Sequence, residues 1–340
     1  MILAGQALAS IAAATDTLRT GGLLGLPTET VYGLAADAES GTAVARIFAA
    51  KGRPADHPLI VHVADATGVA HFASEVPAFA QALMQAFWPG PLTLILPRRQ
   101  GVAAAAAGGQ DSIGLRCPAH PVAQAVLAAC AGLVPPVYGL AAPSANRFGR
   151  VSPTTAAHVQ EEFGPDLLIL DGGPCMVGIE STIVDCTRGR PVLLRPGAIT
   201  PTELAAACGQ AVLQPQDLAD STQAAPRASG TLASHYAPRA RVRLLSALAL
   251  LSALRDEARV GEGIAVYART VATRDVLQLL GPEVAPPWRQ MPPSAASAAQ
   301  QLFAVLRDFD STGVTEIWVE TPPDSADWAG VRDRLARAAA

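Results

Sequence analysis

Short apolar runs bounded by Gly or Pro recur through the first 210 residues, and runs of this kind are typical of buried β-strands. Amphipathic helical segments lie between several of them. The chain is therefore predicted to begin with an α/β (mixed α+β) domain, a twisted mixed β-sheet with helices on its faces. The predicted strands are Leu23–Leu26, Leu59–Val63, Leu92–Leu96, Ser112–Arg116, Leu167–Leu170, Ser181–Asp185 and Val192–Arg195.

Local capping signals mark the ends of two helices in this region. Apolar residues at helical spacing lead into Lys51, and Gly52 and Pro54 then stop that helix. The Thr-Pro-Thr-Glu sequence at 200–203 is a capping box with proline at the first helical position. A second helix is predicted to begin there.

The hydrophobic pattern breaks down beyond residue 208. From Gly209 to Pro238 the chain is rich in Gln, Pro, Ala, Ser and Thr, a composition typical of a linker. We predict a catalytic domain over 1–208, a linker or lid over 209–240, and a small three-layer, Rossmann-like α/β domain over 241–340. In that last domain the predicted strands are Arg241–Leu245, Gly263–Tyr267 and Thr315–Glu320, and helices are predicted around 247–259, 271–280 and 297–309.

Composition narrows the function classes. The 340 residues are 50% hydrophobic and 16% charged, with a net charge of −4, so bulk charge does not indicate a polyanion-binding domain. The odd number of cysteines, five, includes no C-x-x-C pair, which argues against a disulfide framework and a structural zinc site. No basic leader or long apolar run occurs, and we expect a cytoplasmic protein that is neither exported nor membrane-anchored.

Lys51 is the only lysine among 25 basic residues. An ammonium is a compact point charge, whereas a guanidinium is a planar fork, so a lysine kept in so arginine-rich a chain indicates a phosphate contact that arginine cannot make. Arg53 stands two residues further on. The alternative is a lysine on a solvated helix end. No Walker A sequence is present, and Lys51 lies near the C-terminal end of a helix, whose dipole repels phosphate. Any phosphate here must therefore be held by side chains.

Further polar clusters lie at predicted strand ends, where α/β sheets place ligands. The loop 27–34 offers hydroxyl donors, or is an ordinary turn. His62 is either a ligand or a satisfied core histidine. Arg116 shares a strand face with Ser112 and Gly114, and burying it requires an anion, which is either a structural carboxylate or a bound one.

A final set of candidates lies between 144 and 195. Ser144 and Asn146 follow the end of a strand, and Ser152, a few residues on, is either a ligand or a helix cap. Ser181 and Arg195 belong to the last two predicted strands of the domain.

Taken together, these segments resemble the YrdC-like family of threonylcarbamoyl-AMP synthases in its long, two-domain form. The resemblance spans roughly residues 8–205, and the matching segments are Pro27–Leu34, Lys51–Pro54 with the chain up to His62, Ser144–Asn146 and Glu180–Asp185. Ser229–Pro238 resembles the linker of long members, although Leu232-Ala233-Ser234 replace a Lys-Tyr-Arg found in some of them. Only His235 and Tyr236 are carried over from that linker.

The resemblance implies a nucleotidyltransferase that converts L-threonine, bicarbonate or CO2, and ATP into threonylcarbamoyl-AMP and pyrophosphate. The product would serve the threonylcarbamoyladenosine modification of tRNA beside the anticodon. Mg2+ is expected with ATP. The other expected partner is a tRNA threonylcarbamoyl transferase that takes over the product. This chain itself is expected to bind neither nucleic acid stably nor a membrane. Such a transfer is catalysed chiefly by positioning and charge stabilisation.

The resemblance also implies roles for individual residues. Lys51 and Arg53 are the expected catalytic cations, and His235 and Tyr236 are expected to close as a lid that excludes water. The expected ATP-binding residues are Lys51, Arg53, His57, Ser112, Ser144, Asn146, Ser152, Arg195, His235 and Tyr236. The expected threonine-binding residues are Thr30, His62, Arg116 and Ser181.

Two other functions are compatible with a YrdC-like domain. A carbamoyl-transfer enzyme of hydrogenase maturation would also carry an acylphosphatase-like module and Cys-rich zinc fingers, and neither is present. A non-catalytic RNA-binding module would need a local basic face, and the sequence lacks the interleaved aromatic and basic residues typical of one.

Overall fold

A computed structural model of the chain describes residues 1–218, 226–231, 235–256, 263–272, 274 and 286–340. The chain divides into two compact units. The N-terminal unit comprises Met1–Phe148 and Ser152–Thr231, and the C-terminal unit comprises Gly149–Val151 and Leu232–Ala340. The predicted domain limits at 208 and 241 stay predictions.

The N-terminal unit is built on a ten-stranded mixed sheet with the order β1-β8-β2-β3-β7-β4-β6-β5-β9-β10. This confirms the predicted fold class. Its strands are β1 Ile2–Ala4, β2 Leu24–Leu26, β3 Gly33–Asp37, β4 Ile60–His62, β5 Leu92–Pro97, β6 Ser112–Arg116, β7 Leu140–Ala141, β8 Leu168–Asp171, β9 Thr182–Asp185 and β10 Val192–Arg195. Its helices are α1 Leu8–Arg19, α2 Gly41–Lys51, α3 Ala66–Phe72, α4 Ala78–Phe87, α5 Pro121–Ala131, α6 Ala156–Phe163 and α7 Pro201–Cys208.

Every strand predicted for this unit is present, and β6 and β10 have the predicted bounds. The sequence did not indicate β1 or β3. The first is an edge strand of three residues. The second has the sequence Gly-Leu-Ala-Ala-Asp, which lacks the β-branched and aromatic residues that favour strands.

Helix ends follow the capping signals in two cases and depart from them in a third. Helix α2 ends at Gly52, whose φ of 63° is left-handed, and α7 begins with the predicted capping box. Ser152 is not a helix cap, so that interpretation was wrong. Helix α6 starts later, and its N-cap is Thr155, whose side chain accepts a hydrogen bond from the His158 N–H.

Apolar side chains on one face of the central strands form the larger core of this unit. Val61, Leu94, Leu115 and Val184, from β4, β5, β6 and β9, are all buried in it together with Ile47 of α2. Because side chains alternate along a strand, the residues between them face the other side of the same strands. That other face carries the candidates His62, Ser112 and Arg116.

The C-terminal unit contains a parallel four-stranded sheet with the order β11-β14-β12-β13. The strands are β11 Arg241–Leu245, β12 Ile264–Ala268, β13 Trp288–Gln290 and β14 Glu316–Glu320, and the described helices are α8 Ala247–Asp256, α9 Ala295–Ser311 and α10 Ala329–Ala338. Most of the helix predicted around 271–280, and the end of the one predicted over 247–259, lie outside the described residues. Among the described residues, no helix combines the length and hydropathy needed to span a bilayer.

Candidate active site

Five neighbouring strands carry a row of side chains on one face of the N-terminal sheet. His62 of β4 is in register with Arg116 of β6. Strand β5 is antiparallel to β6, with Leu94 in register with Leu115, so the next residue on β5, Thr93, is level with Arg116. On β9, Ile183 is in register with Thr93 on one side and with Arg195 of β10 on the other. Neighbouring strands are about 4.8 Å apart, which puts Arg116 and Arg195 roughly 14 Å apart along the row.

Arg116, near one end of the row, is held by a buried carboxylate. Its side chain is 5% exposed, and its Nη2 lies 2.6 Å from Glu29 Oε1. Nη1 donates to Thr30 Oγ1 at 2.8 Å and Nε donates to the Gly90 carbonyl at 3.2 Å. The other carboxylate oxygen of Glu29 accepts from the Ala119 N–H. The sequence left open whether the anion beside Arg116 is a structural carboxylate or a bound ligand. The structure shows that a structural carboxylate, that of Glu29, is present.

The loop between β2 and β3 presents Glu29 and Thr30 to Arg116. Thr28 Oγ1 accepts from the backbone N–H of Thr30 and of Val31, and it hydrogen-bonds Thr30 Oγ1 at 2.9 Å. This loop is thus a side-chain-stabilised turn that also delivers candidate ligands. Sequence reasoning named Thr30 as a site residue but missed Glu29, because Arg116 is 87 residues away along the chain.

His62 lies beside Arg116 and is 3% exposed. Its Nδ1 is buried and has no hydrogen-bond partner among the residues that the structure describes, whereas the backbone of Ile60 and Leu140 lies within hydrogen-bonding reach of the ring. Both interpretations of His62, as a ligand and as a core histidine, stay predictions. Burial, and then the charge of Arg116, lower the pKa of His62 from 6.5 to about 3. A neutral imidazole therefore faces the site at neutral pH.

The depressed pKa of His62 predicts a pH dependence of stability. Between pH 6.5 and about 3 the unfolded chain binds a proton that the folded protein does not, so the stability contributed by the neutral ring is lost as pH falls through this window. His62→Gln should flatten the slope of unfolding free energy by up to about 1.4 kcal/mol per pH unit. Urea unfolding of both proteins between pH 7 and 4 measures it, and equal slopes would contradict the assignment.

Lys51, the last residue of α2, points into the protein. It is 3% exposed, so the alternative of a lysine on a solvated helix end was wrong. Its Nζ donates to the backbone carbonyls of Ser144 and Asn146, both at 2.5 Å. Burial, followed by the charge of Arg53, lowers the pKa of Lys51 well below its usual value.

The segment that Lys51 holds is also paired with the Thr30 loop. Ser144 bridges Gly33, and the Ala145 N–H donates to the carbonyl of Tyr32 at 2.8 Å. Lys51 and this pairing together fix Ser144 and Asn146 between α2 and the start of β3.

Ser152 and Ser181 each have a buried partner, and Ser181 is joined to the row. Ser152 Oγ donates to Glu180, and both residues are buried. Ser181 Oγ hydrogen-bonds Thr93 Oγ1 at 2.7 Å, while Arg195 donates to the Ser181 carbonyl through Nε at 3.1 Å and Nη2 at 2.9 Å. Thr93 and Glu180 were missed as site residues by sequence reasoning, although Glu180 directly precedes the candidate Ser181 in a segment that matches the family.

Two of the candidate triphosphate cations meet at one linker residue. Arg195 Nη1 donates to the carbonyl of Ser229 at 2.8 Å. Arg53 Nη2 donates to the Pro58 carbonyl at 2.9 Å and lies 3.4 Å from Ser229 Oγ. Ser229 therefore offers oxygen atoms to both guanidinium groups.

The linker segment 226–231 is anchored to the N-terminal unit beside this point. Arg227 and Gln110 form a reciprocal pair, in which the Arg227 N–H donates to Gln110 Oε1 at 2.8 Å and Gln110 Nε2 donates to the Arg227 carbonyl at 3.2 Å. Arg227 Nη1 lies 2.7 Å from Asp56 Oδ2. Partial burial and the charge of Arg53 lower the pKa of the adjacent His57.

A pocket that is partly open to solvent lies between this linker segment and the sheet. Its floor includes Ser112 and Gly114 of β6 and Thr93 of β5. The remaining lining residues are Pro58, Leu59, Ile60, Ile95, Gln110, Ile183, Arg227, Ala228 and Ser229.

His235 and Tyr236 belong to the C-terminal unit. Tyr236 is 1% exposed, stacks on Phe303 at 5.5 Å between ring centroids, and has the Arg334 guanidinium 5.3 Å from its own centroid. The His235 N–H donates to the carbonyl of Arg337. The predicted lid role of this pair stays a prediction, and Leu232-Ala233-Ser234 lie outside the described residues.

No group of three or more His, Cys, Asp or Glu suited to a metal ion occurs among the residues that the structure describes. The charged groups assembled at the site are chiefly cations, namely Lys51, Arg53, Arg116 and Arg195, all of them buried. Such an arrangement favours an anionic ligand over a bare cation.

Comparison with known proteins gives matches along nearly the whole chain. Residues 16–197 match the Sua5, YciO and YrdC family model, described as telomere recombination, and residues 199–340 match the threonylcarbamoyl-AMP synthase C-terminal domain. Threonylcarbamoyl-AMP synthase of Pyrococcus abyssi is 38% identical, with 96% of this chain and 92% of the relative covered. The Bacillus subtilis enzyme of the same name is 36% identical, with 97% and 92% covered.

A solved structure supports the same relationship. The crystal structure of P. abyssi Sua5 complexed with L-threonine has a TM-score of 0.83 and 35% sequence identity, and the match covers 97% of this chain and 94% of that one. Fold and relatives together define the class as a nucleotidyltransferase-type enzyme with two α/β units. Within that class, the chain belongs to the threonylcarbamoyl-AMP synthase family in its long, two-domain form.

Proposed function

We propose that this chain condenses L-threonine, bicarbonate or CO2, and ATP into L-threonylcarbamoyladenylate and pyrophosphate. The observation that carries the proposal is the row on the sheet, with Arg116 near one end, Arg195 at the other, and a pocket against the strands between them. Two substrates that each carry an anionic group can bind such a row side by side, with their reacting groups between the two arginines.

Threonine is assigned to the Arg116 end. A relative that matches this chain over 97% of its length has been crystallised with L-threonine, which supports this amino acid as the substrate. Three of the five N–H donors of Arg116 are used by Glu29, Thr30 and Gly90, and the other two remain for a carboxylate. Thr30, His62 and Ser181 would then surround the amine and hydroxyl groups of the substrate.

ATP is assigned to Arg195, Arg53 and Lys51. The two arginines already bind the oxygen atoms of Ser229, which phosphate oxygens would replace, and Lys51 keeps a third N–H after donating to two carbonyls. His57, Ser144, Asn146 and Ser152 would assist. Mg2+ would enter as part of the substrate, bound to the triphosphate.

The chemistry divides into two steps. The amine of threonine attacks CO2, forms a C–N bond and loses a proton, which gives a carbamate. A carbamate oxygen then attacks the α-phosphorus of ATP, and the bond to the β-phosphate oxygen breaks to release pyrophosphate. Positioned cations stabilise the charge on the phosphoryl oxygens during this transfer, so no protein nucleophile is needed.

A turnover assay tests the proposed function. Purified protein given MgATP, L-threonine and bicarbonate should release pyrophosphate, and mass spectrometry should find threonylcarbamoyl-AMP in equal amount. Pyrophosphate release that is as fast without threonine would contradict the proposal. A gel shift with tRNA, run in parallel, distinguishes it from the RNA-binding alternative, which predicts tight binding without turnover.

A further inference from the structure

Gly114 occupies the middle of β6 without any requirement of the fold for a glycine. Its φ lies outside the positive range. A Cβ built on it would meet Thr93 Cγ2 at 3.5 Å and Ile60 Cγ1 at 3.6 Å, both ordinary contacts. Glycine inside a strand destabilises the folded protein by about 0.5–1 kcal/mol relative to alanine. The stability of the fold therefore does not explain the glycine at this position.

Other glycines of this unit do have a packing reason. A Cβ on Gly139 would lie 2.6 Å from Phe72 Cε2, and one on Gly197 would lie 2.5 Å from the backbone nitrogen of Thr182. At those positions a side chain collides with the protein itself. At Gly114 it does not, and the space it would take belongs to the pocket.

The register of the sheet shows where a side chain at this position would go. Gly114 is paired with Ile60 on β4 and Ile95 on β5, and all three line the pocket. Ser112, on the same face of β6, lines it too. A larger side chain at 114 would therefore rise from the floor and reduce the depth of the pocket.

The walls indicate which part of a ligand fits there. Leu59, Ile95 and Ile183 offer apolar surface for the face of a ring, whereas Gln110 and Ser112 offer polar atoms. Ser229, also in the wall, is the residue at which Arg53 and Arg195 meet. A heterocycle in this pocket would thus have its attached phosphates beside two cations.

We propose that Gly114 is a specificity-determining residue, whose missing side chain gives the pocket the depth needed by the nucleoside part of ATP. The inference rests on the proposed function for the identity of the nucleotide. Arg116, the residue assigned to threonine, lies only two residues from Gly114 along β6, about 7 Å away. Threonine is therefore the other ligand that could occupy this pocket, and the test must separate the two.

Equilibrium binding to Gly114→Ala and Gly114→Val provides that test. One extra methyl group in a pocket costs roughly tenfold or more in binding, so Kd for ATP should rise about tenfold in the first variant and about 100-fold or more in the second. Kd for L-threonine alone should stay within about twofold of its original value. Isothermal titration calorimetry measures both constants, and thermal unfolding should give an unchanged or slightly raised Tm for the alanine variant.

Gly41→Ala is the matched control, because a Cβ at that first residue of α2 would have nothing within 4 Å. It should change neither binding constant. Unchanged ATP affinity in Gly114→Ala, or a larger loss for threonine than for ATP, would overturn the proposal, and the alanine variant decides alone if the valine variant does not fold. Wild-type protein that binds ATP but makes no product would refute the proposed reaction while leaving this inference standing.

Discussion

Replacing Lys51 with arginine is expected to lower kcat by about 100-fold or more while leaving the protein folded. The ammonium fits between two backbone carbonyls, 2.5 Å from each, and is 3% exposed. A guanidinium is wider and planar, so it cannot donate to both carbonyls and also reach a phosphate from that space. The positions of Ser144 and Asn146, and the charge at the triphosphate, would change together.

Arg46→Lys is the matched control for this substitution. Arg46 lies on the same helix, is exposed, and donates to the carbonyl of Gly21. The exchange at this position should leave kcat unchanged. Steady-state pyrophosphate release gives kcat and KM for ATP, and circular dichroism gives Tm. Turnover within a few-fold of the original in Lys51→Arg would remove Lys51 from the catalytic set.

Replacing Arg116 with methionine is expected to destabilise the protein by about 3–5 kcal/mol, because it leaves the buried carboxylate of Glu29 without its counterion. The side chains of this pair are only 5% and 11% exposed. Threonine-dependent turnover should fall by about 1,000-fold, since the arginine would also bind the carboxylate of the substrate.

The double variant Glu29→Gln with Arg116→Met separates the two roles of the arginine. It should recover most of the lost stability, because no unpaired charge remains, but it should stay inactive. Urea unfolding measures the first effect and pyrophosphate release the second. Arg19→Met is the control, because its ion pair with Asp16 is 56% and 65% exposed and should contribute less than about 1 kcal/mol. A double variant no more stable than Arg116→Met would show that the Glu29 charge is not what destabilises the protein.

Much of the fold could be predicted because its signals are local. The capping box at Thr200 and the left-handed Gly52 are each defined by a few adjacent residues. The strands rich in Leu, Ile and Val were found for the same reason. Strand β3 was missed because its alanines and glycine have weak strand propensity, and it forms through pairing with β2 and β7.

The candidate site could be predicted in its cations and hydroxyl groups, but not in the groups that hold them. Arg116 and Ser181 were named from the sequence. Their partners Glu29 and Thr93 lie 87 and 88 residues away along the chain, and no local pattern indicates which carboxylate or hydroxyl will meet them. Ser152 illustrates the same limit, since its own sequence fits a helix cap, but α6 begins later with Thr155 as its N-cap, and the Ser152 side chain instead donates to Glu180.

The sequence by itself determined the α/β class, the family resemblance and Lys51 as a singular residue, because composition, periodicity and motif order are properties of the chain. Only the tertiary structure decided what Lys51 does, since the carbonyls it binds belong to Ser144 and Asn146, more than 90 residues away. It also decided that Gly114 lines a pocket, where a Cβ would make only ordinary contacts. Strand register and burial join distant segments, and the free energy of those contacts depends on the whole fold.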